Sequence, residues 1–438
     1  MKSLYLNMFK KINYIAAILV LLTGMGVRAQ VTTQSPYSKY GLGNVKGLVL
    51  PQFRAMGGIS TGVYKPSGYS NINMQNPSSY TGVTLTTLET GLSGGFSTLD
   101  DGTKKESSFN ASLGHIALAF PIVRGKSGMS FGLMPYTQVG YEYSQTNTVD
   151  TMSSRSLYSG EGGLTKAYFG FGQQLFDHFR VGANIEYVFG NLIENRSSEL
   201  LDPLYTAGNT KIQDKNSVGG VAFSYGAQYD IVLSSKKSIT LGYSGSSPST
   251  INSKRTFVAT QYSRDASGDE NAASETIDLI ENSDTDLKLP LIHNFGFTIQ
   301  KDNAWLIGAD YRTGNWSKLT IAGANQGLQD SWGYSVGAQI TPDFSSVNSY
   351  FQRVDYRIGY TYDKTYIKLN NHNINQKAIT LGLGLPMAST MNSVYKINVT
   401  AEVGQRGTLT NNLIKENFVN IHLGFTLNDT WFRRYRIN

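Results

Sequence analysis

The 438-residue chain has no cysteine. It therefore holds no disulfide and no thiolate metal site, and its stability has to come from burial and hydrogen bonding. Long apolar runs are also missing. Past the first thirty residues no stretch approaches the ~20 apolar residues a membrane helix needs, and the mean hydropathy is slightly negative at −0.24. A bundle of membrane helices is thereby excluded. Histidine is scarce and scattered, five in all at 115, 178, 293, 372 and 422. With no Gly-x-Ser-x-Gly, no phosphate loop and no His-Glu-x-x-His, no enzyme constellation stands out, and no catalytic, metal or cofactor residue is assigned. The formal charge of +7 falls to +3 once the four cations Lys2, Lys10, Lys11 and Arg28 of the leader are set aside. That is too little for a nucleic-acid-binding face.

Residues 1–29 read as an export leader. Lysines precede the apolar run Ile15 to Leu22, and Val27-Arg28-Ala29 has the small-x-small form of a cleavage site. The run is too short to span a bilayer. Processing after Ala29 leaves Gln30 first, with no cysteine for lipid attachment.

What the rest of the chain does have is alternation. In Val419 to Leu427, Val419, Ile421, Leu423, Phe425 and Leu427 are apolar, and the residues between them are polar or small. A period of two sorts these onto opposite faces of a strand. Similar runs lie near 84–96, 108–121, 128–145, 162–175, 179–196, 217–232, 237–262, 290–300, 304–313, 330–340, 353–366, 374–385, 395–405 and 415–427, fourteen in all. Outward sets include Val181, Ala183, Ile185, Tyr187 and Phe189, and Val354, Tyr356, Ile358, Tyr360 and Tyr362. Asn184, Glu186, Asp310, Asp355, Arg357, Thr400 and Glu402 fall on the other face. The connections alternate: 124–127, 176–178, 234–237 and 301–303 are short, whereas 146–161, 197–216, 263–289 and 314–329 are long. Short periplasmic turns and long extracellular loops characterise outer-membrane barrels, and 27 Tyr and 20 Phe supply aromatic girdles. The expected fold is all-β: a fourteen-stranded antiparallel transmembrane β-barrel over 84–427, integral to the outer membrane, with both termini periplasmic and a periplasmic tail at 428–438.

Residues 30–83 precede the first strand and lack its periodicity. They contain Phe53-Arg54-Ala55-Met56-Gly57-Gly58-Ile59-Ser60 and then Asn76-Pro77-Ser78-Ser79. A glycine pair and an Asn-Pro turn imply compact backbone close to other backbone. Side chains alone do not fill so wide a barrel, so this segment is expected to be a hatch, or plug. Ala-Met-Gly-Gly-Ile-Ser followed by Asn-Pro-Ser and then the first strand resembles the hatch of the FadL/TodX family of outer-membrane channels. The match departs from the family pattern at Ser78, where alanine is usual. Ser35-Pro36-Tyr37-Ser38-Lys39-Tyr40-Gly41-Leu42-Gly43 also resembles a Bacteroidota subgroup with PorV-like relatives. The resemblance implies one of two roles. The first is passive passage of hydrophobic, long-chain fatty-acid-like molecules past a movable hatch (Gly57, Gly58, Asn76, Pro77, Ser78). The second is an accessory or scaffold barrel in an outer-membrane protein assembly (BAM) or type IX secretion machine. Partners would be outer-membrane lipids, a hydrophobic ligand or assembly and secretion subunits.

Pro135 lies in mid-strand and removes a ladder donor, so the sheet must bulge or open there. The resemblance implies a lateral exit at this third strand, with Met134 and Pro135 at its lip. The segment 263–289 is acidic (Asp265, Asp269, Glu270, Glu275, Asp278, Glu281, Asp284, Asp286) and reads as a solvated loop with a cation or partner contact as the alternative. A short helix is expected over Ala272 to Glu281, with Ile277 and Ile280 packing down. Trp431 and Phe432 are expected to anchor at the inner interface, beside a basic tail.

Overall fold

The structure, a computed structural model, describes residues 35–149, 152–201, 209–265, 267, 269–387 and 393–431. The leader and residues 432–438, with Phe432 and the basic tail, lie outside the described residues. Fourteen antiparallel strands close into a barrel. They are β1 Thr86–Asp100, β2 Lys105–Val123, β3 in two pieces (Ser127–Pro135 and Thr137–Val149), β4 Met152–Phe176, β5 Phe179–Leu200 and β6 Asn209–Ser234. Next come β7 (Lys237–Ser246 and Ser249–Tyr262), β8 (Glu275–Leu289 and Ile292–Lys301), β9 Trp305–Gly314 and β10 Ser331–Ile340. The last are β11 Asp355–Leu369, β12 His372–Pro386, β13 Ser393–Gly407 and β14 Lys415–Asp429. Closure is made by β1 and β14, in register from Thr86↔Asp429 to Asp100↔Lys415.

The faces follow the alternation. Ile185, Tyr187 and Phe223 point out and are about half exposed, while Asn184, Glu186, Arg357 and Thr400 point into the lumen and are buried. An apolar outside and a polar inside is what a barrel in lipid requires. Val354 departs from the expectation: it precedes β11 and is buried, because the chain enters that strand only at Asp355.

Three of the expected long loops are strand for most of their length. Residues 152–161, 209–216 and 275–289 continue the ladder. Both faces there are wet, so polar residues occupy both and the period of two disappears from the sequence while the backbone pairing persists. The expected helix over 272–281 is replaced by the start of β8, on which Ile277 and Ile280 are exposed. A line of breaks separates barrel wall from this projecting crown: Pro135 to Tyr136 in β3, Gly162 and Gly163 in β4, Gly190 in β5, Pro248 in β7 and Pro290 in β8. The breaks are adjacent through the register, Pro135↔Thr165 and Leu164↔Gly190 for example. At the opposite end the turns that lie wholly within the described residues are short, except 341–354, which includes a 3-10 turn at Phe351–Arg353.

Residues 35–85 run inside. They hold a 3-10 helix (Pro36–Lys39), a two-residue strand (Asn44–Val45), a single helical turn (Pro51–Arg54) and a 3-10 helix (Pro77–Gly82). Two apolar clusters follow. One packs Phe53, Met56, Ile59, Ile72, Met74 and Tyr80 against the wall, and the other joins Leu42 to Tyr136, Leu164, Ile251, Trp316 and Tyr366 under the crown.

Candidate functional site: the lumen and its inner segment

The inner segment is tied to the wall on opposite sides. Asn76 caps the 3-10 helix Pro77–Gly82: its Oδ1 accepts from the Ser78 amide at 3.2 Å and from Ser78 Oγ at 2.7 Å. Its Nδ2 donates to Thr61 O at 2.7 Å and lies within reach of Ala227 O and Tyr243 O on β6 and β7. Gly57 sits across the lumen. Its amide donates to Thr380 Oγ1 at 2.9 Å, and a Cβ there would stand 2.7 Å from Tyr360 O. Both Gly57 (φ +70°) and Gly58 (φ +88°) take the left-handed backbone that favours glycine. The residues expected to form a hatch thus form two anchors, one at Gly57–Gly58 and one at Asn76–Pro77–Ser78, not a single cluster.

Between these anchors, wall carboxylates receive backbone amides. Asp310 accepts from Ser60 and Thr61, both at 2.8 Å. Glu89 accepts from the Ile72 amide at 3.0 Å and from Gln52 at 2.9 Å. Gln228, Thr298, Gln339 and Thr400 donate to carbonyls of Thr61, Gly62, Pro66 and Pro51. Each buried amide or carbonyl of the segment that finds such a partner avoids a desolvation cost of ~1–3 kcal/mol.

The wall itself is shaped to this segment by a lane of inward glycines, which the sequence reading missed. Gly308, Gly337 and Gly359 are neighbours across β9 to β11, and Gly226, Gly182, Gly172 and Gly128 across β6, β5, β4 and β3. A Cβ on Gly337 would lie 2.1 Å from Met56 O, on Gly226 2.0 Å from Asn76 Oδ1 and on Gly182 2.4 Å from Pro77 C. A strand glycine that lets another backbone approach is a known use of the residue. The signal was legible as a recurring apolar-Gly-apolar-polar tetrad: Val181-Gly-Ala-Asn184, Tyr225-Gly-Ala-Gln228, Ile307-Gly-Ala-Asp310, Val336-Gly-Ala-Gln339.

Buried and half-buried charges complete the lining. Asp355 pairs with Arg357 at 2.6 Å and with Lys396, and Arg357 also donates to Gln339 and Asn398. Lys166 pairs with Glu186 and Arg312 with Asp363, each at 2.6 Å. Ser93 Oγ meets His422 Nδ1 at 2.8 Å, and His422 Nε2 lies 3.5 Å from Glu402. That row has the members of a hydrolytic triad. However, the His–Glu contact is too long for a hydrogen bond, and Ser93 lies in mid-strand. Among the described residues no group of three His, Cys, Asp or Glu is placed to hold a metal.

Met134 and Pro135 border a seam. The β2–β3 register ends at Ile116↔Leu133. Above it, Lys105 to Leu113 of β2 pair, among the described residues, only with β1, and Gly114 sits in a bulge, whereas the facing edge of β3 takes the inner strand Asn44–Val45. The Tyr136 amide turns away to Leu164 O at 2.8 Å. A cavity of about 180 Å³ lies behind the seam, lined by Lys46, Arg54, Leu113, His115, Met134 and Pro135 among others. A second, of about 360 Å³, lies between the inner segment and the crown, with Tyr136, Trp316 and Tyr366 beside Arg54, Lys166 and Arg312. Burial, and then the neighbouring Arg54 and Arg406, push the Lys46 ammonium down to about 8.

A sequence model of one protein family, described as BamG, matches residues 8–438. No curated protein sequence matches. Solved structures that resemble the fold include a Pseudomonas aeruginosa FadL homologue (TM-score 0.57, 11% identity, 90% of this chain and 100% of that one). The toluene transporter TbuX of Ralstonia pickettii (0.55, 15%, 88% and 99%) and the toluene transporter TodX of Pseudomonas putida (0.55, 16%, 89% and 100%) are similar in the same way. At these identities the likeness is one of fold alone, a β-barrel of the FadL type.

Proposed function

The chain belongs to the BamG family, and from that premise we propose that it is an accessory barrel subunit of an outer-membrane protein assembly (BAM) machine. The short turns face the periplasm and the crown faces the cell exterior. The observation that carries this reading is the lumen. An inner segment bonded on opposite walls, seated against glycines that leave it no slack, is a permanent filling rather than a gate. The barrel is then a membrane-embedded support whose projecting surfaces hold other subunits.

A second reading, passage of hydrophobic small molecules, is supported by the seam at Met134–Pro135 and by the aromatic side of the larger cavity. An apolar solute gains by leaving sideways into hydrocarbon rather than into water. Long-chain fatty acids or aromatic hydrocarbons are the matching classes. Depletion separates the two. The assembly reading expects other outer-membrane barrels to accumulate unfolded in the periplasm. The channel reading expects normal barrel levels and lost uptake of a labelled long-chain fatty acid or toluene.

A further inference from the structure

The upper piece of β8, Glu275–Leu289, has a full neighbour on one side only. It pairs along its length with the upper piece of β7, whereas on the other side, among the described residues, Leu287 and Lys288 alone meet a strand, at Ile321 and Thr320. β9 pairs lower down, with Ile292–Lys301. Glu275 to Thr285 therefore present an open edge in the crown. On the neighbouring upper piece of β7 the exposed residues near its base, Asn252 and Lys254, are polar and lie opposite Asp286 and Asp284.

Open edges in natural sheets carry charges and bulges that discourage unwanted pairing. This one carries Glu275, Asp278, Glu281 and Asp284, with register shifts opposite Arg255–Phe257 and Ala259–Thr260. Those devices leave one observation unexplained. Ile277, Leu279 and Ile280 are 59%, 50% and 41% exposed on a wet strand. Exposed apolar residues grouped at an unpaired edge mark an interaction site.

Charge selects the occupant. A second copy added antiparallel would oppose acid with acid, which destabilises a strand pair. Asp284 already faces Lys254 across the ladder, but an uncharged apolar strand would crowd Glu275, Asp278 and Glu281 without compensation. A segment carrying lysine or arginine between apolar residues satisfies both demands. We propose that Glu275–Thr285 docks an extended basic segment of a partner protein, added to β8 as a further strand, with its apolar residues over Ile277 and Leu279. The inference rests on the assembly-subunit reading only in needing a protein partner.

The test places a photo-crosslinking residue at Leu279 of the full chain in its own outer membrane, with Asn252 as the control site. The expected result is one protein adduct at Leu279 and none at Asn252. Peptide mapping should place the adduct in a net-positive extended segment. Asp278→Lys with Glu281→Lys should lower its yield at least tenfold, and Ile277→Ser with Leu279 crosslinking should lower it several-fold. The heat-dependent gel shift of a folded barrel shows that each variant is assembled. An unchanged yield after charge reversal, an adduct to a second copy or to lipid, or no adduct while assembly subunits still copurify overturns the inference and leaves the proposed function standing. If no protein copurifies with the wild-type barrel, both fall.

Discussion

Gly359→Ala is the sharpest perturbation of the lumen. The added Cβ would stand 2.0 Å from Gly57 N and 2.2 Å from Met56 C, and both are backbone atoms that no rotamer change can move. The inner turn must withdraw or β11 must bow. Overpacking of this kind costs ~1–3 kcal/mol. Withdrawal also strips the Gly57 amide of Thr380 Oγ1 at 2.9 Å while leaving it the Arg54 carbonyl at 3.1 Å within the turn, a loss of one hydrogen bond at ~0.5–1.5 kcal/mol more. The expected sum is ~1.5–4.5 kcal/mol from one methyl group. Two assays read it. The temperature of the heat-dependent gel shift should fall clearly, and purified protein in planar bilayers should show ion conductance that wild type lacks. Gly94→Ala is the control, because its Cβ meets nothing nearer than Asn110 O at 3.6 Å. If Gly359→Ala matches wild type and the control in both assays, the inner segment is not held as described.

Other outcomes follow from the same geometry. Asp310→Ala leaves the Ser60 and Thr61 amides, each now 2.8 Å from its carboxylate, without a protein acceptor, and should destabilise the barrel by ~2–6 kcal/mol in denaturant titration. Asp355→Asn deprives buried Arg357 and Lys396 of their shared carboxylate and should cost ~3–5 kcal/mol, more than the same change at exposed Asp278. Lys46 has its basicity lowered to about 8, so the unfolded chain binds the extra proton between there and the ordinary lysine range. Replacement by Met should therefore stabilise most below pH ~8, with the advantage fading as pH rises toward ~10.5; a pH-independent difference would contradict this. Pro135→Val should restore a ladder donor at the seam, and under the channel reading it lowers hydrophobic uptake, whereas unchanged uptake removes the lateral route.

The barrel was legible because lipid outside and water inside impose a period of two. Ile185, Tyr187 and Phe189 against Asn184 and Glu186 declare it without any structure. Pro135 declared a break for an equally local reason, its missing amide. The crown was not legible because both its faces meet water, so 275–289 reads as an acidic loop, and the spacing of Ile277 and Ile280 imitates a helix turn. The lumen was half legible. The glycine tetrads could be counted, but what Asp310 binds lies about 250 positions away along the chain, and no local pattern pairs a carboxylate with the amides of Ser60 and Thr61.

A filled barrel held for its partners should be found in their company. The direct measurement is a mild-detergent pull-down of tagged protein from its own outer membrane, with every copurifying component identified and quantified. Such a barrel should bring with it a stoichiometric set of outer-membrane assembly subunits. A lone barrel carrying bound fatty acid or hydrocarbon would contradict it.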